Sequence, residues 1–407
     1  MWKLALHGKR RFANDPRYNL RSVTDGFASR CEDAPEDTPL LRRIVSAYKA
    51  AAEREQAAPE CYRPTAWWNE VRRTSLGPVR EALRRGDTST LGEMYRHFYR
   101  DPCSTGLVSV PWGMRQAYFG PATRDLYRHV YLSNALYRLD YWREQVGGAY
   151  QLSDLAGPSV GHPFGVLIDN VLIRTGADYQ HHCARTVRDL LPGSTSVVVE
   201  IGGGFGGAAY YLLRDLPGVT YINFDVSESL ALAAYNLMKS LPDLRFQLCG
   251  EAELTQGAIH RADVILLPLQ ELEQLPDAIA QAAFSSHAIS DLSPAALSAT
   301  LAQIARITRG HLFYAGSGQC YAALEQSVAQ FGDSFFLTDV RDSRWNRFYR
   351  KQQEIECIYR LTGGDGAVCA APGNCNLIDD QATGNSLDSV AAHCLQEAWS
   401  PAEGSMR

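Results

Sequence analysis

The stretch Ser196-Val-Val-Val-Glu-Ile-Gly-Gly-Gly-Phe-Gly-Gly207 decides the fold of this chain. Three β-branched residues lead to an acid, Glu200, and a run of glycines follows. This pattern predicts a buried parallel strand, a glycine turn and a helix that begins near Ala208. A backbone without side chains at the N-terminus of a helix is what an adenosine cofactor needs in order to lie close to the main chain.

The acid at the end of the strand distinguishes between possible cofactors. The string Gly202-x-Gly204-x-x-Gly207 also fits the dinucleotide fingerprint, so an NAD-linked oxidoreductase and a glycine turn without a ligand are the alternatives. A carboxylate at Glu200 would repel a pyrophosphate, but it would attract the cationic amino-acid end of S-adenosylmethionine. The sequence therefore favours S-adenosylmethionine as the cofactor.

A second acid completes the predicted cofactor site. The strand Thr220-Tyr-Ile-Asn-Phe-Asp225 ends in a carboxylate 23 positions after Gly202, near the usual spacing for an acid that binds ribose hydroxyls. Glu251 is the candidate for the adenine amino group if residues 245–249 form the third strand. If residues 262–268 form it instead, the contact moves to Gln270. The predicted cofactor-binding residues are Glu200, Gly202, Gly203, Gly204, Gly206, Asp225, Val226, Ser227 and Glu251.

The order of the predicted elements indicates the fold class. Strands and helices alternate from residue 178 to residue 325, which implies a parallel sheet with helices on both faces. Two closing strands near residues 335–338 and 354–361 would complete a doubly wound, Rossmann-like sheet of seven strands. We expect an α/β domain over residues 158–362. Residues 1–157 are predicted to be a mainly helical region for a substrate cap or oligomerisation, beginning with an irregular arm to residue 38. Residues 363–407 are predicted to be a flexible tail.

Composition limits the classes of partner. The formal net charge is −5, and the chain lacks the basic field that binding to nucleic acid requires. Its apolar runs are shorter than a membrane span. Ten cysteines occur without a Cys-x-x-Cys pair, and the N-terminus lacks an export signal, so we expect reduced thiols and a cytoplasmic protein. We expect no required metal, and a homodimer is compatible with the sequence.

Three segments together carry a resemblance to a known family. They are the long glycine motif Glu200-Ile-Gly-Gly-Gly-Phe-Gly-Gly-Ala208, the segment Gly161-His-Pro-Phe-Gly165, and the region of Trp67 with its downstream runs Leu83-Arg-Arg-Gly86 and Tyr95-Arg-His-Phe-Tyr-Arg100. Over roughly residues 60–360 the chain resembles the sugar O-methyltransferase family of the class I superfamily, which tailors polyketide sugars and polysaccharides.

The resemblance implies methyl transfer from S-adenosylmethionine to a hydroxyl of a sugar or of a glycosylated small molecule. One stretch, Ser285-Ser-His-Ala-Ile-Ser-Asp-Leu-Ser293, lacks the Asn and the Glu-Met pair of the family pattern, which leaves the acceptor and the base open. Methylation of a nitrogen, a carbon or a carboxylate, and a non-catalytic scaffold subunit, are the other functions compatible with the sequence.

Methyl transfer to a hydroxyl favours a general base, and histidine suits that role near neutral pH. His287 and Asp291 follow the predicted fourth strand, at the edge where ligands of parallel sheets bind, so His287 is the first candidate and Asp291 its orienting partner.

A second group of candidates precedes the cofactor strand. His181 and His182 lie on the helix before it with Tyr179, and because they are adjacent, at most one of the two histidines faces the site. His162, in the Gly-His-Pro-Phe-Gly loop, is a candidate substrate contact together with Tyr179.

Overall fold

A computed structural model describes residues 1–30, 37–120, 124–193, 195–348 and 353–362. The predicted tail, residues 363–407, lies outside the described residues. Within the described part, the helices of the first 150 residues are α1 (Trp2–Arg11), α2 (Leu20–Gly26), α3 (Thr38–Ala57), α4 (Ala66–Thr74), α5 (Gly77–Arg85), α6 (Thr88–Arg96), α7 (Trp112–Phe119) and α8 (Arg124–Val146).

The N-terminal segment is more regular than its sequence suggests. We expect an irregular arm from a polar sequence with little periodicity, but α1 and α2 form there and both pack against the long helix α8. Tertiary packing therefore decides the structure of this segment, because an isolated helix of 7 or 10 residues is marginal in water. No helix in the described ranges is long and apolar enough to cross a membrane.

A small hairpin joins the helical region to the sheet. Strands β1 (Gly165–Ile168) and β2 (Val171–Arg174) pair antiparallel across Asp169 and Asn170, both of which have positive φ. Asp and Asn are the residue types that tolerate this backbone region best after glycine. Helix α9 (Ala177–Asp189) follows and leads to the central strand.

Over the described residues, the main sheet contains eight strands in the order β5-β6-β4-β3-β7-β8-β10-β9. The strands from β3 to β8 are parallel where they pair, and β10 is antiparallel to both of its neighbours. The strands are β3 (Val197–Ile201), β4 (Thr220–Asp225), β5 (Phe246–Leu248), β6 (Val264–Pro268), β7 (Ala280–Ser286), β8 (Thr308–Ser317), β9 (Phe335–Ser343) and β10 (Glu354–Leu361). The crossover helices are α10 (Gly207–Asp215), α11 (Ser227–Ser240), α12 (Gln256–Ile259), α13 (Pro294–Ile307) and α14 (Gly318–Val328).

The predicted fold class, a doubly wound Rossmann-like sheet with a helical N-terminal region, is confirmed. The expected count of seven strands is wrong by one. Both residues 246–248 and residues 264–268 enter the sheet, and the shorter of the two forms the outermost strand next to β6. A strand of three residues has too short a pattern to be recognised with certainty beside a stronger apolar run.

The topology indicates the edge of the sheet at which a ligand would bind. Strand β3 pairs with β4 on one side and with β7 on the other, so the chain order reverses at β3. Within these pairs Glu200 lies opposite Asn223 and Phe284. In open parallel sheets, ligands bind beyond the carboxyl ends of the strands at this reversal point.

The helical region and the sheet share one hydrophobic core. Helix α3 packs on α11, and α8 packs on α9. The α8–α9 contact includes a buried ion pair, in which Arg138 donates two hydrogen bonds of 2.8 Å to the carboxylate of Asp178. The N-terminal region is therefore fixed to the sheet domain by both apolar packing and buried charge.

Replacing Asp178 with alanine should lower the free energy of unfolding by about 3 kcal/mol, because Arg138 would stay buried without its carboxylate. Chemical denaturation measures this change. Asp189→Ala is the matched control on the same helix, since its pairs with Arg185 and Arg188 are exposed and should contribute less than about 1 kcal/mol. Equal effects of the two substitutions would contradict the importance of the α8–α9 ion pair.

Candidate active site

A cavity of about 360 Å³ lies at the carboxyl ends of β3, β4 and β7. The glycine turn after β3 forms its floor, and helices and loops of the N-terminal region form the opposite wall. Residues of the sheet domain that line the cavity include Glu200, Gly202, Gly203, Gly204, Asp225, Val226, Gln270, Ser286 and His287. Most of the predicted cofactor residues therefore meet in one place.

Hydrogen bonds to the neighbouring strand hold the glycine turn in shape. The Gly203 amide donates to Oδ1 of Asn223 and the Gly204 amide donates to Oδ2 of Asp225, both at 2.9 Å. Gly204 has φ of 57°, in the left-handed region that favours glycine. At Gly203, an added Cβ would lie only 2.6 Å from the hydroxyl of Tyr221. The turn thus needs glycine for both conformation and space.

Two predicted residues, Gly206 and Ser227, do not line the cavity. Gly206 has φ of 79° and its amide donates to the carbonyl of Gly203, so it stabilises the turn without facing the cavity. Ser227 is the first residue of α11, and its amide donates to Oε2 of Glu55 at 3.1 Å.

Glu200 is a buried carboxylate at the end of β3 that lines the cavity. Burial raises the pKa of Glu200 to about 7, and the nearby charge of Asp225 acts in the same direction. A hydrogen bond from the hydroxyl of Tyr221 to Oε2 opposes this rise. Without a cation in the cavity, this carboxyl group titrates near neutral pH.

Asp225 is the second carboxylate of the cavity. Its Oδ1 accepts from the amide of Val226 at 2.7 Å, and its Oδ2 accepts from Gly204. Burial raises the pKa of Asp225 to about 7, although both backbone hydrogen bonds lower it. Each oxygen can accept a further hydrogen bond, so Asp225 is suited to bind a ligand hydroxyl.

Gln270 and Glu251 differ in whether they reach the cavity. Strand β6 pairs directly with β4, and Gln270 follows it and lines the cavity. The amide oxygen and nitrogen of Gln270 are both buried without a hydrogen-bond partner. Glu251, by contrast, accepts from Arg43 Nε at 2.6 Å and from the Leu248 amide at 2.8 Å, outside the cavity. Gln270 therefore replaces Glu251 as the candidate at this end.

The opposite end of the cavity contains a cluster of hydroxyl and imidazole groups. The hydroxyl of Tyr179 lies 2.7 Å from Oγ of Ser286, and its ring centroid lies 6.2 Å from that of His287. Burial raises the pKa of Tyr179 well above its ordinary value, so this phenol stays protonated. His287 has φ of 66°, and its amide donates to the carbonyl of Ala315 at 2.7 Å. The structure thus brings His287 and Tyr179 to one site, as expected.

The other predicted histidines lie elsewhere. Nδ1 of His181 accepts from the indole of Trp142, and Nε2 of His182 lies 3.0 Å from Oε2 of Glu356. Both rings are buried, and burial lowers the pKa of His181 to about 4. Because neither lines the cavity, the geometry does not support either as the base.

His162 and Asp291 complete the predicted set. Nδ1 of His162 lies 2.9 Å from Nδ1 of His97, under the N-terminal helices and not on the cavity wall. The geometry therefore does not support a substrate contact by His162. The backbone of Asp291 lies in a 3-10 helix after His287, but its side chain is outside the described part of the structure, so its orienting role stays a prediction.

The N-terminal region supplies cavity residues that sequence reasoning missed. They include Glu55, Tyr62, Trp67, Trp68 and Leu107. These residues are far from the glycine motif in the sequence and belong to segments without a cofactor-binding pattern. Asn223 was also missed. A polar residue in the middle of a buried strand is a signal that its side chain makes a structural hydrogen bond, here to the Gly203 amide.

Within the described residues, no group of three or more His, Cys, Asp or Glu side chains is placed to hold a metal ion. The buried carboxylate of Glu271 pairs with Arg54 at 2.9 Å. The six cysteines in the described ranges are free thiols, as predicted for them.

Comparisons with known proteins find likeness only among solved structures. No family model and no curated protein matches the chain. The [4+2]-cyclase SpnF is 14% identical over 47% of this chain and 83% of that one, with a TM-score of 0.34. A SAM dependent methyltransferase from Aquifex aeolicus is 12% identical over 44% of this chain and 88% of that one, with a TM-score of 0.30.

A third solved structure contains a cofactor product. It is phosphoethanolamine N-methyltransferase 2 of Haemonchus contortus, in complex with phosphomonomethylethanolamine and S-adenosylhomocysteine. It is 11% identical over 44% of this chain and 52% of that one, with a TM-score of 0.31. Likenesses of this size carry no argument about activity, so the function must be inferred from the residues of the cavity.

The Tyr221→Phe substitution should raise the pKa of Glu200 further, because it removes the hydrogen bond that opposes the effect of burial. Infrared titration of the buried carboxyl band measures this. In Glu200→Gln the corresponding band should disappear, which assigns the signal. A titration curve in Tyr221→Phe that coincides with that of the unaltered protein would contradict the role of Tyr221.

Proposed function

We propose that this protein is an S-adenosylmethionine-dependent O-methyltransferase that acts on a hydroxyl group of a sugar or of a glycosylated small molecule. The observation that carries the proposal is the pair of carboxylates, the buried Glu200 and the half-buried Asp225, on either side of the glycine turn in one cavity. A site with two acids and exposed glycine backbone suits a cationic nucleoside better than a pyrophosphate.

The residues of the cavity fit the three parts of this cofactor. Glu200 and the turn Gly202–Gly204 would hold the cationic amino-acid end, and Asp225 would accept from ribose hydroxyls. The unpartnered amide of Gln270 offers one donor and one acceptor, the pattern that pairs with an adenine edge. A buried amide without partners costs free energy, so a ligand that satisfies both atoms would be stabilised there.

S-adenosylmethionine supplies an electrophilic methyl group when it is bound. The chain's own task is then to place the acceptor hydroxyl in line with that methyl and to remove its proton. His287 is proposed to take the proton, because it lines the cavity and imidazole is largely neutral near pH 7. Tyr179 and Ser286 would hold the acceptor by hydrogen bonds from their hydroxyls.

Two observations support a sugar or glycoside as the methyl acceptor. One is the resemblance of the glycine motif and the upstream segments to sugar O-methyltransferases. The other is the mixed wall of the cavity, where hydroxyl and imidazole groups lie beside apolar residues such as Leu107, Phe284 and Leu292. A glycoside, with a polar sugar and an apolar body, matches this mixture.

Binding of S-adenosylhomocysteine should tighten by roughly 70-fold as the pH rises from 6 to 7.5, because each of two groups of pKa about 7 contributes roughly eightfold. Glu200 and Asp225 have pKa values of about 7 in the empty cavity, and both must be ionised to bind the ligand's ammonium group and ribose hydroxyls. Lower pH protonates them and weakens binding. Isothermal titration calorimetry at several pH values measures the dependence.

Glu200→Gln is the control for this pH dependence. It should weaken binding by at least about tenfold at pH 7.5, since a hydrogen bond to a charged group contributes about 1.5–3 kcal/mol. It should also reduce the pH dependence to the part that Asp225 contributes. Equal affinity at pH 6 and 7.5 in the unaltered protein, or tighter binding of NAD than of S-adenosylhomocysteine, would refute the cofactor assignment.

The His287→Asn substitution should lower methyl transfer by at least about 100-fold and leave cofactor affinity nearly unchanged. Asparagine tolerates the positive φ at this position, so the backbone is preserved. Transfer of a labelled methyl group to a panel of free sugars and glycosides measures turnover. Undiminished transfer to an accepted substrate would show that another group is the base.

A further inference from the structure

The cavity wall opposite the glycine turn belongs to the N-terminal region. Helix α3 contributes Glu55, and the segment after it contributes Tyr62 and Trp68. The hydroxyl of Tyr62 donates to Oε1 of Glu273 at 2.8 Å, in the 3-10 helix that also contains Gln270. The N-terminal region therefore covers the adenine and ribose end of the cavity proposed above.

Glu55 is a buried carboxylate whose position is fixed from two sides. Its Oε1 lies 2.6 Å from Nη2 of Arg72, and its Oε2 accepts from the amide of Ser227 at 3.1 Å. Each oxygen has one donor and can accept a second. Because Glu55 also lines the cavity, the remaining capacity is available to a ligand.

The carboxylates of Glu55 and Asp225 are both bound to backbone amides at the start of α11, and both residues line the cavity. Asp225 accepts from the amide of Val226, and Glu55 accepts from the next amide, that of Ser227. Consecutive backbone amides hold the two side chains at the same helix N-terminus, where the helix dipole stabilises negative charge. A ribose presents two adjacent hydroxyl donors, which matches two adjacent carboxylate acceptors.

One buried arginine pairs with two of the carboxylates near this helix N-terminus. Arg72 Nε lies 2.5 Å from Oε1 of Glu228 and pairs with Glu55 through Nη2. The indole of Trp68 also donates to Oε1 of Glu228 at 2.7 Å. Unlike Glu55, Glu228 does not line the cavity, so it shares the structural network without facing a ligand.

We propose that Glu55, from the N-terminal region, is a cofactor-binding residue that accepts a hydrogen bond from one ribose hydroxyl, with Asp225 accepting from the other. This inference rests on the proposed function and makes the N-terminal region part of the cofactor site. The cofactor site is then completed only when α3 is docked on α11.

The test compares ligands as well as variants. S-adenosylhomocysteine and its 2′-deoxy and 3′-deoxy analogues are titrated calorimetrically into the full chain and into Glu55→Gln. In the unaltered protein, removal of either hydroxyl should weaken binding by about tenfold or more. In Glu55→Gln, one of the two analogues should lose most of that penalty. A merely structural role would weaken all three ligands by the same factor and leave both penalties intact, which would overturn the inference.

Glu228→Gln is the matched control, because it disturbs the same arginine without facing the cavity. In this variant, both the 2′-deoxy and the 3′-deoxy analogue should still bind more weakly than S-adenosylhomocysteine, by the same factors as in the unaltered protein. If Glu228→Gln also loses one penalty, the effect comes from the shared network and the inference fails. If Glu55→Gln does not fold, a crystal structure of the unaltered protein with S-adenosylhomocysteine decides. A ribose hydroxyl within about 3.2 Å of a Glu55 oxygen supports the inference, and one beyond about 4 Å overturns it.

If the proposed function is wrong, the binding measurements give a different result from the one that rejects only Glu55. Asp225→Asn and Glu200→Gln would then leave the affinity for S-adenosylhomocysteine unchanged, or the unaltered protein would not bind it. Strong losses in those two variants, together with intact deoxy penalties in Glu55→Gln, would keep the proposed function and reject only the role of Glu55.

Discussion

The hydrogen bonds from the Gly203 and Gly204 amides to Asn223 and Asp225 are the constraint on which the site depends. They tie the turn after β3 to the end of β4, and they fix the distance between the two acids. Glu200 is held in the same unit, because the hydroxyl of Tyr221, on the same strand as Asn223, donates to it. Residues of β4 therefore determine both the conformation of the turn and the positions of the two carboxylates.

Burial gives these carboxylates their chemical character. A carboxyl group in a largely apolar cavity is costly to ionise, which raises the pKa values of Glu200 and Asp225 to about 7. A cation or a hydroxyl donor in the cavity would restore the charged forms. The electrostatic cost in the empty protein is thus offset when a ligand of the right charge binds.

The helical region is part of the same folded unit as the sheet. Its helices share the hydrophobic core of the sheet, and the buried network of Arg72, Glu55 and Glu228 joins α3 and α4 to α11. The expected role of residues 1–157 as a substrate cap or oligomerisation region stays a prediction. What the structure adds is that residues from this region line the same cavity as the glycine turn.

The sequence by itself determined the central strand, the glycine turn and the acids that follow it, because these depend on local patterns of a few residues. It also placed His287 correctly at the sheet edge, since parallel strands end on a common side. Tertiary structure alone decided that α1 and α2 are helices, that β5 joins the sheet, and that Gln270 and not Glu251 faces the cavity. It also decided that His181 and His182 are buried away from the cavity and that Glu55 lines the same cavity as Asp225. These outcomes depend on contacts between residues far apart in the chain, which no local pattern specifies.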